Sequence, residues 1–287
     1  MTAASELVLV RTVADLRAQV AALRNAGKRI GFVPTMGALH EGHLALVAEA
    51  RRRSDAVIAS VFVNPTQFAA HEDLGTYPRQ EARDAELLAG AGCSTLFAPD
   101  PAEMYPHGFA TSVQVGGPST GLETDFRPHF FGGVAVVVAK LLNQVQADVA
   151  VFGEKDYQQL MVVRRMARDL DIPTEIVGAP TVRDGHGLAL SSRNAYLSAD
   201  ELAVARRLNV ILREAADRAA AGKPTVAVET MAAEALIAAG FDRVDYVAIR
   251  HAESLAPFSD AVDAPARILA AAWLGKTRLI DNMAVTA

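Results

Sequence analysis

The stretch "VPTMGALHEGHLALV" (Val33–Val47) decides how the fold of this chain is read. A β-branched run, "RIGFVPT", leads into it, and a helical pattern, "HLALVAEARRR", leads out. It is a strand-to-helix turn, the place where backbone N–H groups and the helix dipole favour an anion. Gly37 and Gly42 would let a phosphate approach the backbone, and the imidazoles of His40 and His43 add donors for its oxygens. A protonated imidazole would also stabilise charge developing there. A zinc-protease pair needs two histidines at i and i+4; here Leu44 holds that position and His43 sits at i+3, so the motif is absent. Two incidental histidines at a helix start are the plain alternative.

The same grammar extends outward. "TVADLRAQVAALRNAG" places Val13, Leu16, Val20 and Leu23 at helical spacing, with Thr12 as N-cap and Gly27 as stop. "DAVIASVFVN" reads as a buried strand, "PRQEARDAELLAGAG" as a helix and "STLFAP" as a strand. "GVAVVVAKLLNQ" is expected to be helical, "DVAVFG" a strand, and "TEIVGAP" another. Between those two strands, "DYQQLMVVRRMARDL" carries Leu160, Val163, Ala167 and Leu170 on one helical face. Strands without polar alternation, separated by helices, predict an α/β architecture with a parallel sheet covered on both faces. Ligands then bind beyond the carboxyl ends of the strands. After "LSSRNAYLS" the pattern changes: two Ala-rich helices, about 199–222 and 226–239, precede three strands, "RVDYVAIR", "ARILAAAWLG" and "TRLIDNMAV". These predict a first domain over 1–183 and a smaller α+β domain over 184–287.

Composition narrows the function classes. Of 287 residues 51% are apolar and 21% charged, a globular balance. The net charge of −5 argues against a nucleic-acid-coating surface. The single cysteine, Cys93, excludes an intrachain disulfide and any Cys-based zinc cluster; its setting, "AGAGCSTLFAP", reads as core. The apolar run before Arg11 is only four residues long, too short for a signal core, and Lys140 interrupts the most apolar segment. The expectation is a soluble, cytoplasmic protein without a membrane partner.

Three further segments can carry chemistry. "VFVNPTQF" (Val61–Phe68) ends a strand with Asn64 and Gln67, amides that can hold a carboxylate or hydroxyl without adding charge; an Asx turn is the alternative. "VFGEKDYQQL" (Val151–Leu160) offers Gly153 for close approach, Lys155 for a phosphate and Asp156 for a ribose hydroxyl, against a capping Asp and a solvated Lys. "GLALSSRNAYLS" (Gly187–Ser198) puts Ser191, Ser192 and Arg193 at the expected domain boundary, where a lid could close on a triphosphate.

Together, "PTMGALHEGH", "SVFVNPTQF", "YPR", "FGEKDYQQL", "GLALSSRN" and "AAWLGKTRLIDN" resemble, in this order, the pantothenate synthetase (pantoate–β-alanine ligase) family. The resemblance implies a Rossmann-type nucleotide-binding domain with the C-terminal domain as a lid. It implies ATP-dependent joining of pantoate to β-alanine through pantoyl adenylate, with Mg²⁺, in a cytoplasmic homodimer. Matched residue by residue, ATP would lie along Met36, Gly37, Ala38, Leu39, His40, Glu41, Gly42 and His43, with His43 in a proton-donor position. Gly153, Glu154, Lys155 and Asp156 match a nucleotide-binding segment, Val182 an adenine contact, and Leu190, Ser191, Ser192 and Arg193 the closing element. His40, His43, Lys155 and Arg193 are the expected catalytic groups. Gln67 and Gln159 match the pantoate-holding residues, Asn64 lies beside them, and Asp84 is the candidate carboxylate near Mg²⁺.

Two segments depart from the family pattern. "RPHFFGGV" keeps Arg127 but has Phe130 where a His is expected, with His129 one place earlier; Glu123 matches by position only. "HGLA" puts His186 where the family has an Asp. The competing readings are a nucleotidyltransferase that uses no amine and a non-catalytic nucleotide-binding protein.

Overall fold

A computed structural model describes residues 7–68, 73–75 and 78–286; Tyr77 of the "YPR" segment lies outside them. The first part alternates β1 (Val8–Val10), α1 (Val13–Asn25), β2 (Ile30–Thr35), α2 (Glu41–Arg53), β3 (Ala56–Val61), α3 (Glu81–Ala91) and β4 (Thr95–Phe97). Two short helices follow, α4 (Pro101–Met104) and α5 (Glu123–Phe126), then α6 (Phe130–Val145), β5 (Val149–Gly153), α7 (Tyr157–Asp169) and β6 (Glu175–Ala179). The last part holds α8 (Ala199–Ala205), α9 (Arg207–Ala220), α10 (Thr225–Ala238), β7 (Arg243–His251), β8 (Ala266–Leu274) and β9 (Thr277–Val285).

β1 to β6 form one sheet in the order β1-β4-β3-β2-β5-β6, and every pairing is parallel. Its central strands are buried without alternation: Ile30, Phe32 and Val33 on β2, and Val149, Ala150 and Val151 on β5, are sealed from solvent. Such strands need helices on both faces, as the sequence pattern predicts. From β2 the chain moves toward β3 and β4 on one side, then returns to lay β5 against the other. The sheet therefore changes direction between β2 and β5, and a crevice at their carboxyl ends is the expected ligand position.

The smaller sheet is antiparallel, in the order β7-β8-β9. With α9 and α10 it encloses a core of Leu208, Leu212, Leu236, Ile249 and Ile268. Compactness divides the chain discontinuously: Gly116–Phe126, Lys155–Met161 and Thr181–Ala287 form one unit, and the remainder forms the other. Two excursions from the first part of the chain thus cluster with the last part.

Three local details differ from the sequence reading. β1 is not recognisable in the sequence, because three residues at a sheet edge show no periodicity. The helix expected over 199–222 is divided into α8 and α9 at Arg206, whose guanidinium pairs with Asp184. Leu160, Val163 and Ala167 are buried as expected, whereas Leu170 is 53% exposed because α7 ends at Asp169. Cys93 is core, and burial pushes its thiol up to about 12. No helix among the described residues is long and apolar enough to cross a membrane.

Candidate active site

The turn after β2 is built by backbone conformations that most residues avoid: Gly37 has φ +85° and Ala38 φ +51°. A Cβ on Gly37 would stand 3.0 Å from Asp84 Oδ2 and 3.1 Å from Val61 Cγ1, so position 37 needs glycine on two counts. Asp84, 1% exposed on α3, explains the crowding. Its carboxylate accepts the N–H of Ala38 at 3.0 Å and of Leu39 at 2.9 Å. The anion that this turn holds is a side chain of the protein itself.

The helix start is capped by imidazoles. His40 is the N-cap of α2, and its Nδ1 accepts the N–H of Gly42 at 3.1 Å; Nδ1 of His43 accepts the N–H of His40 at 3.3 Å. This is a capping box in which two histidines take the parts of Ser and Glu. The rings lie 4.2 Å apart between centroids. An Nδ1 that accepts carries no proton, so the neutral ring carries it on Nε2. Both imidazoles are held in the same tautomer, with Nε2–H as donor. The backbone N–H groups of Ala38, Leu39, His40 and Gly42 all serve the turn itself.

After β3, Asn64 caps the short turn Pro65–Gln67. Its amide nitrogen donates to Gln67 Oε1 and to the Gly133 carbonyl, both at 3.1 Å, while its Oδ1 accepts from Thr66 and, at 2.8 Å, from the Tyr105 hydroxyl. Only 1% exposed, Asn64 orients Gln67. Gln67 Nε2 lies 2.9 Å from Met36 Sδ, which brings the expected pantoate residue and the expected ATP turn together. Arg127 donates to the Gln67 carbonyl at 3.2 Å and stacks 4.0 Å over the Phe130 ring, so the aromatic departure at 130 supports the retained arginine. Tyr105 and Gly133 were missed by sequence reasoning. Tyr105 has no patterned neighbours; burial, partly offset by its bond with Thr66, pushes its hydroxyl up. Gly133 had a signal in the doubled glycine of "FFGGV": a Cβ there would lie 2.4 Å from the Thr66 carbonyl oxygen.

The second unit gathers its own set. Lys155 lies in the turn Glu154–Asp156 with its ammonium 3.6 Å from Asp156. Gln158 is buried, donating to the carbonyls of Pro118 and Gly121 and accepting from the Glu123 N–H. Its neighbour Gln159 is half-buried on the first turn of α7. Glu123, matched by position only, accepts from Nη1 of Arg278 with both carboxylate oxygens, at 2.7 and 2.9 Å. Val182 and Leu190 meet through a backbone bond of 2.9 Å, and Ser191 caps the turn Ser192–Tyr196 by accepting the Arg193 N–H. In the "HGLA" departure, Asp184 accepts the N–H of His186 and of Leu188 and pairs with Arg206. Partial burial would raise its carboxyl, but those two N–H groups and the guanidinium hold it below the usual range. Among the described residues no group of three or more His, Cys, Asp or Glu lies close enough to hold a metal ion.

Residues 8–284 match the profile of a family described as pantoate-beta-alanine ligase. The pantothenate synthetase of Caulobacter vibrioides is 62% identical over 280 residues, covering 97% of this chain and 98% of that protein. That of Mesorhizobium japonicum is 61% identical over 277 residues, covering 96% and 97%. The crystal structure of pantothenate synthetase from Thermus thermophilus superposes with a TM-score of 0.91 at 51% identity, covering 98% of this chain and all of that one. A Francisella tularensis pantoate-beta-alanine ligase, described as complexed with beta-gamma ATP and beta-alanine, gives 0.79 at 33% identity, covering 97% and 98%.

Proposed function

We propose that this chain, which belongs to the pantoate–β-alanine ligase family, condenses pantoate with β-alanine to give pantothenate, using ATP. The observation that carries the reading is the imidazole capping box at the carboxyl end of β2, with Gln67 against Met36 beside it. It offers N–H donors and a neutral amide at the carboxyl ends of the central strands of a parallel sheet, where ligands bind.

In the first step a pantoate carboxylate oxygen attacks the α-phosphorus, a P–O bond forms, and the α–β anhydride bond breaks to release pyrophosphate. Anions are brought together, so positioning and charge neutralisation dominate. His40 and His43 donate from Nε2 to phosphate oxygens, and Lys155 and Arg193 supply positive charge. Ser191 and Ser192 add neutral hydrogen bonds, Asp156 accepts from the ribose, and Val182 with Leu190 packs toward the adenine. Met36, Glu41 and Gly42 complete the ATP-contacting turn, and Gly153 and Glu154 the segment after β5. Gln67 and Gln159 hold pantoate, and Asn64 fixes Gln67. In the second step β-alanine, as its free amine, attacks the acyl carbon; the C–N bond forms, the nitrogen gives up a proton to solvent, and the acyl–phosphate C–O bond breaks to release AMP.

Mg²⁺ would enter with ATP and would supply neutralisation of the phosphate charge. Asp84, the carboxylate expected near it, is fitted to holding the turn through the Ala38 and Leu39 N–H groups. The family resemblance also supports a homodimer, a lid role for the C-terminal part, and the cytoplasm as the place of reaction.

The test is pantoate-dependent exchange of pyrophosphate into ATP, with AMP release requiring β-alanine. Exchange without amine-dependent turnover would favour the nucleotidyltransferase reading. Absence of both would leave only nucleotide binding.

A further inference from the structure

We propose that Asp281 and Asn282, adjacent on β9, are positioning residues that tie the Lys155 turn and the 187–193 segment to one strand. They are 4% and 3% exposed on a sheet whose central strand, β8, runs Ile-Leu-Ala-Ala-Ala over 268–272. Polar groups so buried are costly unless paired, and what they pair with identifies their task. Neither is satisfied by the strand ladder alone.

Asn282 donates from Nδ2 to the Lys155 carbonyl at 2.8 Å. Its Oδ1 accepts from Nε of Arg267, which fixes the amide orientation; the Arg267 guanidinium also stacks 3.9 Å from the centre of the Tyr157 ring. The turn is thereby held on both sides of Asp156, through its backbone and through the next aromatic ring. This hold engages the Lys155 carbonyl and leaves its ammonium for other work.

Asp281 forms a bidentate pair with Arg183 at 2.7 and 2.8 Å. Arg183 donates onward to the Gly187 carbonyl at 2.9 Å and to the Asn282 carbonyl at 3.3 Å. Gly187, with φ +91° and Asn209 Oδ1 only 2.9 Å from where its Cβ would be, opens the segment that carries Ser191, Ser192 and Arg193. Successive side chains leave a strand on opposite faces, so two neighbouring residues reach two separate segments. A bidentate Arg–carboxylate pair at one residue and a charge-oriented amide at the next make the link stiff.

The proposal rests on the reading of Lys155 and Arg193 as nucleotide contacts, and a double-mutant cycle separates the two. Asn282→Asp keeps the acceptor for Arg267 and removes the donor to Lys155. It is expected to slow pyrophosphate exchange by roughly 10-fold or more, the scale of a small misplacement, with KM for β-alanine unchanged. On a Lys155→Ala background the same change should cost less than about twofold further, because coupled residues are not additive. A silent Lys155→Ala would remove both readings. An impaired Lys155→Ala with a silent or additive Asn282→Asp would overturn the positioning role alone. Should Asn282→Asp fail to fold, Asn282→Ala enters the same cycle; failure of both to fold would make Asn282 a structural residue and equally overturn the proposal. Arg183→Lys, which keeps the charge and loses the fork, is expected to raise KM for ATP about 10-fold without changing that for pantoate. An unchanged KM for ATP would refute the Asp281 half.

Discussion

Nδ1 of His43 accepts the backbone N–H of His40 at 3.3 Å, while Nδ1 of His40 accepts that of Gly42 at 3.1 Å. On the proposed function the pair does two jobs with two different nitrogens: Nδ1 closes the helix start, and Nε2–H donates to phosphate.

The two jobs separate on mutation. His43→Ala removes both, so exchange activity should fall about 100-fold and stability by about 1 kcal/mol. His43→Asn keeps a short side-chain acceptor for the cap and loses the distant donor. It should recover most of the melting temperature and little of the activity. Equal recovery of both would show that the imidazole acts only as a cap.

Asp84 is expected to matter before any substrate binds. Asp84→Asn replaces an acceptor for one of two buried N–H groups by a donor, which should cost roughly 1–3 kcal/mol. Thermal denaturation of the nucleotide-free protein without added Mg²⁺ measures it. A carboxylate needed only for a metal ion would leave that melting temperature unchanged and raise the Mg²⁺ requirement instead.

Gly133→Ala forces a methyl group against the Thr66 carbonyl, a backbone atom that cannot rotate away. Overpacking of this kind costs about 1–3 kcal/mol. The shift falls on the turn bearing Asn64 and Gln67, so KM for pantoate should rise while KM for ATP changes little. Steady-state kinetics with each substrate varied in turn distinguishes this from general damage.

Asp184 gives a pH signature. Its folded-state carboxyl lies below the unfolded value, so its stabilisation is present above the unfolded pKa and disappears as pH falls through the folded one. Asp184→Asn should therefore lower stability most near neutral pH, and its gap from the parent protein should narrow below about pH 4. Denaturant titrations across that range supply the comparison; a gap that widens on acidification would reverse the sign and the assignment.

The sequence by itself determined the parallel α/β class, the placement of "TMGALHEGH" and "GEKD" at strand ends, and the absence of the zinc-protease spacing. These follow from local periodicity and spacing, which short windows contain. It also identified the family, because several short segments recur in order over most of the chain. Tertiary structure decided what those windows cannot contain. Asp84 lies 46 residues from Ala38 in sequence and meets it only through α3 packing, so its bonds to the turn had no local signal. The same is true of Asn282 and Lys155, 127 residues apart. Leu170 kept helical spacing yet lies exposed, since the helix stops one residue earlier. The histidines show the division most plainly. Spacing indicated that they do not form the zinc-protease motif, but only the folded backbone decides which imidazole nitrogen accepts and therefore which one carries the proton.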